Sequence, residues 1–141
     1  MNQHRVQIVQ WSDQIDVLRT IRETVFIQEQ HVPVELEWDE FDEISWHALA
    51  YNAANQPVGT ARLLPDGRIG RMAVLKEWRG KGFGRALLLE LLAQSQRQKM
   101  KSVQLNAQIS ASSFYQKYGF VEFGDEFMEA GIPHVAMRLE I

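Results

Sequence analysis

Apolar positions in this chain recur with two periods: runs that alternate or fill short strands, and two stretches where they fall three and four residues apart. Arg5 to Trp11 sets Val6 and Ile8 against Gln7, Val9 and Trp11, a mixed pattern that predicts a first strand. Ile15, Leu18, Ile21, Val25 and Phe26 then repeat at helical spacing. They predict a helix capped by Ser12 or Asp13 and ending near Gln30, with Pro33 blocking continuation. Ser45 to Asn52 and Val58 to Leu64 read as strands. The turn Pro65-Asp66-Gly67 should close an antiparallel hairpin with Arg68 to Val74, where Gly70 predicts a bulge or a close approach of backbone to ligand. The second helical stretch places Leu87, Leu88, Leu91 and Leu92 on one face, a core stripe. Ser102 to Ala107 is a further strand, and Ser110 or Ser112 opens a short helix that Gly119 terminates. Phe120 to Phe127 and His134 to Leu139 close the chain as two strands joined around Gly131-Ile132-Pro133. The order is β-α-β-β-β-α-β-α-β-β, a mixed α/β architecture within one domain, residues 1–141.

One segment joins these patterns to chemistry. From Ile69 to Leu92 the chain runs strand, glycine-rich basic turn, helix. Gly82 and Gly84 let the backbone approach a ligand with successive N–H groups outward, and the helix adds unpaired amides and the positive end of its dipole. Arg79, Lys81 and Arg85 surround the turn with positive charge, so a polyphosphate or pyrophosphate is the favoured ligand. Spacing rejects two nucleotide motifs. Gly84 is followed by Arg85 and Ala86, which removes the hydroxyl a Walker loop requires. Glycines at 80, 82 and 84 with Gln104 downstream do not make a dinucleotide fingerprint.

Composition narrows the remaining classes. The 141 residues are 45% hydrophobic and 23% charged, ordinary for a globular protein, and a net charge of −3 gives no support to general nucleic-acid or membrane binding. Without cysteine there is no disulfide scaffold, thiolate metal site or acyl-cysteine chemistry, and the four histidines show no ligand spacing, so no metal is expected. The N-terminus lacks the apolar core of a signal peptide, so a cytoplasmic location is expected. Glu35 to Glu43, E-L-E-W-D-E-F-D-E, reads from its charge as a solvated loop or short helix; its functional reading is a rim that attracts a cationic amine.

The spacing R-x-x-G-x-G, carried by Arg79, Gly82 and Gly84 between a strand and a helix, resembles the acyl-CoA pyrophosphate loop of the GNAT superfamily of N-acetyltransferases. A second motif, Leu105 to Phe120, ends A-x-x-F-Y-x-K-x-G-F and is similar to the segment after the fifth strand of those enzymes. The segment R-x-x-V-F-x-x-E-Q-x-x-P from Arg22 to Pro33 and the ending G-I-P-H-x-x-M from Gly131 to Met137 resemble the ElaA/YjcF-like branch. The likeness spans the whole chain and implies the GNAT fold.

That resemblance implies a division of labour. The fourth strand would splay from the fifth, and pantetheine would pair with its edge at Met72, Ala73 and Val74, where the Val74 N–H polarises the acyl carbonyl. The amides of Arg79, Gly80, Lys81, Gly82, Phe83, Gly84 and Arg85 would hold the pyrophosphate of acetyl-CoA, with Asn106 and Ser112 near the pantetheine arm. Tyr115 matches the position that often protonates the leaving thiolate, and Glu29 and His134 are candidates for the base that accepts the amine proton. A small-molecule amine is the expected acceptor, attacking directly in a ternary complex. GNAT enzymes are often dimers, so the resemblance admits a homodimer. Two alternatives stay open: a module that binds CoA or another phosphate ligand without turnover, and an acetyltransferase acting on protein N-termini or lysines.

Overall fold

The computed structural model describes residues 4–32 and 39–141. The strands β1 (Arg5–Gln10), β2 (Trp46–Tyr51), β3 (Pro57–Leu63), β4 (Arg68–Val74), β5 (Ser102–Gln108), β6 (Val121–Glu129) and β7 (Ile132–Glu140) form one mixed sheet in the order β1-β2-β3-β4-β5-β7-β6. Neighbours pair antiparallel throughout, except β4 with β5, which run parallel. The mixed α/β architecture and the order of elements are those the hydrophobic pattern predicts.

Period-2 alternation separates the two faces of the sheet. On β2, Leu49 packs with Leu18, Ile21 and Val25 on one side, while Ala48 and Ala50 face the other side with Leu87, Leu88 and Leu91. The helix α1 (Ile15–Arg22) therefore covers one face, and α2 (Phe83–Arg97) covers the opposite one. Leu87, Leu88 and Leu91 have no exposed surface, and each such burial contributes roughly 2 kcal/mol. The short helix α3 (Ser112–Gln116) follows β5 and presents Phe114 and Tyr115 to the α2 side of the core.

The first helix departs from its pattern. Trp11–Asp13 is a 3₁₀ turn, so Trp11 leaves the strand early. The residue capping α1 is Gln14, without a side-chain bond, in place of Ser12 or Asp13. After Arg22 the coil widens to a π-helix over Glu23–Glu29. Gln30 N–H closes it on the Val25 carbonyl, and His31 ends it in the left-handed region at φ 61°. Pro33, the expected stop, lies outside the described residues, as do residues 35–38 of the acidic stretch.

The hairpin around Pro65-Asp66-Gly67 forms as predicted. Gly67 has φ +94°, and a Cβ there would stand 2.8 Å from the Ser102 carbonyl. The bulge in β4 falls one residue later than Gly70: pairing passes from Thr60↔Ala73 to Arg62↔Gly70, and Arg71 takes φ 50°. At the other end, Ala130 and Gly131 make the final turn, and Ile132 and Pro133 belong to β7. The missing N–H of Pro133 is tolerated because β5 ends opposite His134.

Candidate functional site

The parallel contact between β4 and β5 is only two residue pairs long, Arg68↔Gln104 and Ile69↔Leu105. Beyond Ile69 the bulged β4 diverges, and its far edge has no strand beside it among the described residues. The orientation of that edge follows from the ladder. Leu75 N–H donates to the Val58 carbonyl at 2.9 Å, so in an antiparallel pair the N–H and C=O of the preceding residue, Val74, point away from β3. They face the gap. A carbonyl-bearing chain laid along it would find the Val74 N–H as donor.

The gap leads into a cleft of about 390 Å³, walled by Met72 and Val74, by Trp78, Arg79 and Gly80, by the start of α2 from Gly82 to Arg85, and by Phe114. Gly80 and Gly82 hold φ values of +74° and +89°, and Gly82 caps α2 in the left-handed conformation. His4 braces the turn from beneath: its Nε2–H donates to the Lys81 carbonyl at 2.5 Å, and its ring stands edge-on to Phe83 at 4.5 Å. Lys81 in turn lies over the Trp78 ring. Neither His4 nor Trp78 is part of a recognisable motif. Trp78, an aromatic residue directly before Arg79, carried the only sequence signal of the two.

Arg79 does not stand free over the turn. Its Nε–H donates to the Val74 carbonyl at 2.8 Å, and its two terminal nitrogens fork onto the Glu29 carboxylate at 2.5 and 2.7 Å. Lys81 and Arg85 remain as the exposed cations of the turn. Glu29, expected as a proton acceptor, is thus occupied, and the Arg79 guanidinium holds its carboxyl below the usual carboxylate range against a smaller opposing effect of burial. A carboxylate made more acidic by an ion pair is a weaker base.

Tyr115 stands behind the cleft wall, between Phe114 and Phe120, and its hydroxyl reaches the Met72 sulfur at 3.8 Å. A thioether is a weak acceptor, so the phenolic proton is held loosely. Burial raises the phenol above the usual tyrosine range, which keeps it protonated at neutral pH. Asn106 and Ser112 are not in the wall of the cleft. Ser112 Oγ–H caps back to the Ile109 carbonyl at 3.1 Å, and Asn106 reaches Glu129 at 3.4 Å. Glu129 also meets His134 Nε2 at 3.3 Å. His134 Nδ1–H donates to the Ile132 carbonyl at 2.7 Å, which leaves Nε2 as the nitrogen able to exchange a proton. Gln108↔His134 pairing puts this cluster at the wide end of the gap.

In the described part of the acidic stretch, residues 39–43, Glu40 and Glu43 are exposed on a turn, as a solvated loop would have them, but Asp39 and Asp42 turn inward. Among its described residues, Asp42 is buried against Arg22 at 2.7 Å and Arg62 at 3.0 Å. Asp39 binds Arg62 at 2.7 Å and Arg71, the bulge residue, at 3.2 Å. Burial alone would raise the Asp42 carboxyl, but Arg22 and Arg62 outweigh it and leave it below the usual range. These two carboxylates form an internal ion network that ties α1 to β3 and β4.

A parallel strand pair parting beside a glycine-rich turn, with an edge amide facing the gap, is the frame of an acyl-CoA-dependent N-acyltransferase. Residues 11–141 match the acetyltransferase (GNAT) domain family, and the chain belongs to that family, in its ElaA-like branch. It is 38% identical to the uncharacterized N-acetyltransferase YjcF of Bacillus subtilis, over 83% of this chain and 86% of that one. Among solved structures it is similar to Escherichia coli ElaA (28% identity, TM-score 0.86, 96% of this chain and 99% of that one). It is likewise similar to an acyl-CoA N-acyltransferase from Pseudomonas aeruginosa (29% identity, TM-score 0.85, 96% and 98%).

Proposed function

We propose that this protein transfers the acetyl group of acetyl-CoA to the primary amine of a small molecule, by direct attack in a ternary complex. The observation that carries the reading is the unpaired edge of β4, whose Val74 N–H faces a gap continuous with the glycine turn. Acetyl-CoA, when bound, supplies a thioester carbonyl open to attack by an amine. The chain's residues do the rest. Val74 N–H donates to the carbonyl oxygen as it gains charge, an interaction stronger in the transition state than in the ground state. The amides from Gly80 to Arg85, with the side chains of Lys81 and Arg85, hold the pyrophosphate, while the Arg79 amide is turned back to the Lys76 carbonyl.

As the amine nitrogen bonds to the acyl carbon, the carbon–sulfur bond breaks and the thiolate takes the phenolic proton of Tyr115. Its loose bond to the Met72 sulfur is readily exchanged for one to a better acceptor. The amine proton leaves through His134 Nε2, with Glu129 beside it, or directly to water. We assign no such step to Glu29, because Arg79 already occupies its carboxylate.

The test is thiol release from acetyl-CoA against a panel of small primary amines, with amino-terminal and lysine peptides in parallel. Release with small amines alone is expected. Release with peptides alone would replace the acceptor class. Tyr115→Phe should lower turnover by about a hundredfold or more while acetyl-CoA still raises the unfolding temperature. Ligand stabilisation without turnover in the native protein would make it a CoA-binding module.

A further inference from the structure

The Glu29–Arg79 pair has no part in the chemistry just described, yet it touches the residue that does. Arg79 Nε–H is bonded to the carbonyl of Val74, while Leu75 N–H, the other end of the same peptide, is bonded to Val58 of β3. The peptide following Val74 is therefore held from both sides and cannot rotate unless one bond breaks. Its rotation would change ψ of Val74 and φ of Leu75 and so redirect the chain as it leaves β4. The glycine turn would then move relative to the Val74 N–H, which belongs to the preceding peptide on the β3 ladder. Arg79 itself is oriented by both oxygens of Glu29, a fork-on-fork geometry that fixes the guanidinium plane. Glu29 ends the π-helix, whose wider turn displaces it from the face it would occupy in an α-helix. The root of that helix is pinned by the buried Arg22–Asp42 pair.

We infer that Glu29 is a positioning residue: through Arg79 it fixes the peptide after Val74 and so sets the glycine turn in place relative to the Val74 N–H, which decides where a thioester carbonyl anchored at the turn meets that donor. The inference rests on the reading of Val74 as the donor to the acyl carbonyl. Glu29 and Arg79 side chains are about one-third exposed, 35% and 39%, so replacing either should leave the fold intact. Two roles for the pair predict different outcomes. If Glu29 only competes with a phosphate for Arg79, removing it tightens acyl-CoA binding and leaves turnover alone. If it positions the peptide, turnover falls and binding hardly moves.

Glu29→Gln, Glu29→Ala and Arg79→Lys should be compared by acetyl-CoA titration, by turnover with an active amine, and by the backbone amide resonances of Val74 and Leu75. A thioester carbonyl carried out of line with the donor should lower kcat by about a hundredfold, with the dissociation constant within about fivefold of the native value, the range of an exposed ion pair. Glu29→Gln, which still accepts one hydrogen bond, should lose less than Glu29→Ala. Arg79→Lys, whose ammonium lacks the planar fork, should resemble Glu29→Ala. The Val74 and Leu75 resonances should shift in all three. Tighter binding with unchanged kcat, or unmoved Val74 and Leu75 amides, would overturn the inference. If the native protein shows no turnover, the acyltransfer reading fails instead, and the amide shifts still decide whether the coupling exists.

Discussion

Gly82 and Gly84, two glycines of one turn, do different work, and single substitutions separate them. Gly82 sits at φ +89°, and a Cβ there would come within 3.0 Å of the His4 ring. Gly82→Ala should therefore destabilise the protein by about 1–2 kcal/mol from backbone strain alone, with further loss as His4 is displaced from the Lys81 carbonyl. Gly84 lies inside α2 without a positive φ, and a Cβ would meet nothing nearer than the Met72 sulfur at 4.0 Å, on the cleft side. Gly84→Ala should leave stability unchanged or raise it by up to about 1 kcal/mol, since alanine is the better helix former. It should at the same time weaken acetyl-CoA binding, because the methyl stands where the phosphate must approach. Chemical denaturation and acetyl-CoA titration of both variants check this. Undiminished binding by Gly84→Ala would mean that the backbone is not approached there.

At the level of elements, the first helix and the acidic turn form one device. Arg22 is fully buried and meets Asp42, which also holds Arg62, while Asp39 holds Arg62 and the bulge residue Arg71. Asp42→Ala would leave two arginines without their central carboxylate, one of them in the core. The expected loss is about 3 kcal/mol or more, roughly 10 °C in unfolding temperature, read by a thermal melt. A loss under about 1 kcal/mol would place the pair among those worth little. Little of this device could be read from the chain. Ile15, Leu18, Ile21 and Val25 announce an amphipathic helix, but a charged residue in the series reads as its wet side, and nothing local marks the change from α to π spacing after Arg22. The run from Glu35 to Glu43 reads as solvated because Arg22, Arg62 and Arg71 are brought to it only by the packing of α1 against β3 and β4. The hairpin, the glycine turn and the leucine stripe of α2 were legible because each is local: a turn residue, a dihedral requirement or a single face.

Across the whole molecule, the sheet is two antiparallel sections joined by one short parallel contact, β4 to β5. Element order predicts neither that β7 lies between β5 and β6 nor that the junction is two pairs long, since both depend on distant strands. The β1–β4 section holds its ion network and His47 together between β2, β3 and α1, and that arrangement sets how the protein responds to acid. His47 donates from Nε2 to the Asp42 carbonyl at 2.9 Å. Its Nδ1 is buried with no hydrogen-bond partner among the described residues, and its ring lies 5.3 Å from that of Trp11. Burial lowers its pKa, more than the Asp42 contacts raise it, and Arg22 and Arg62 lower it further. The folded protein thus keeps His47 neutral at a pH where the unfolded chain protonates it, at about 6.5. Stability is complete above that value and falls as pH drops below it, because the unfolded state binds the extra proton. Asp42, whose folded pKa is also lowered, adds a second loss only at the lower pH where carboxylates titrate. The first part of the acid loss, between about pH 6.5 and 5, should therefore belong to histidine. His47→Gln keeps a donor in reach of the Asp42 carbonyl without a titrating group. Its unfolding temperature should fall less than the native protein's between pH 7.5 and 5.5. Parallel curves for the two proteins across that interval would assign the acid sensitivity to other groups.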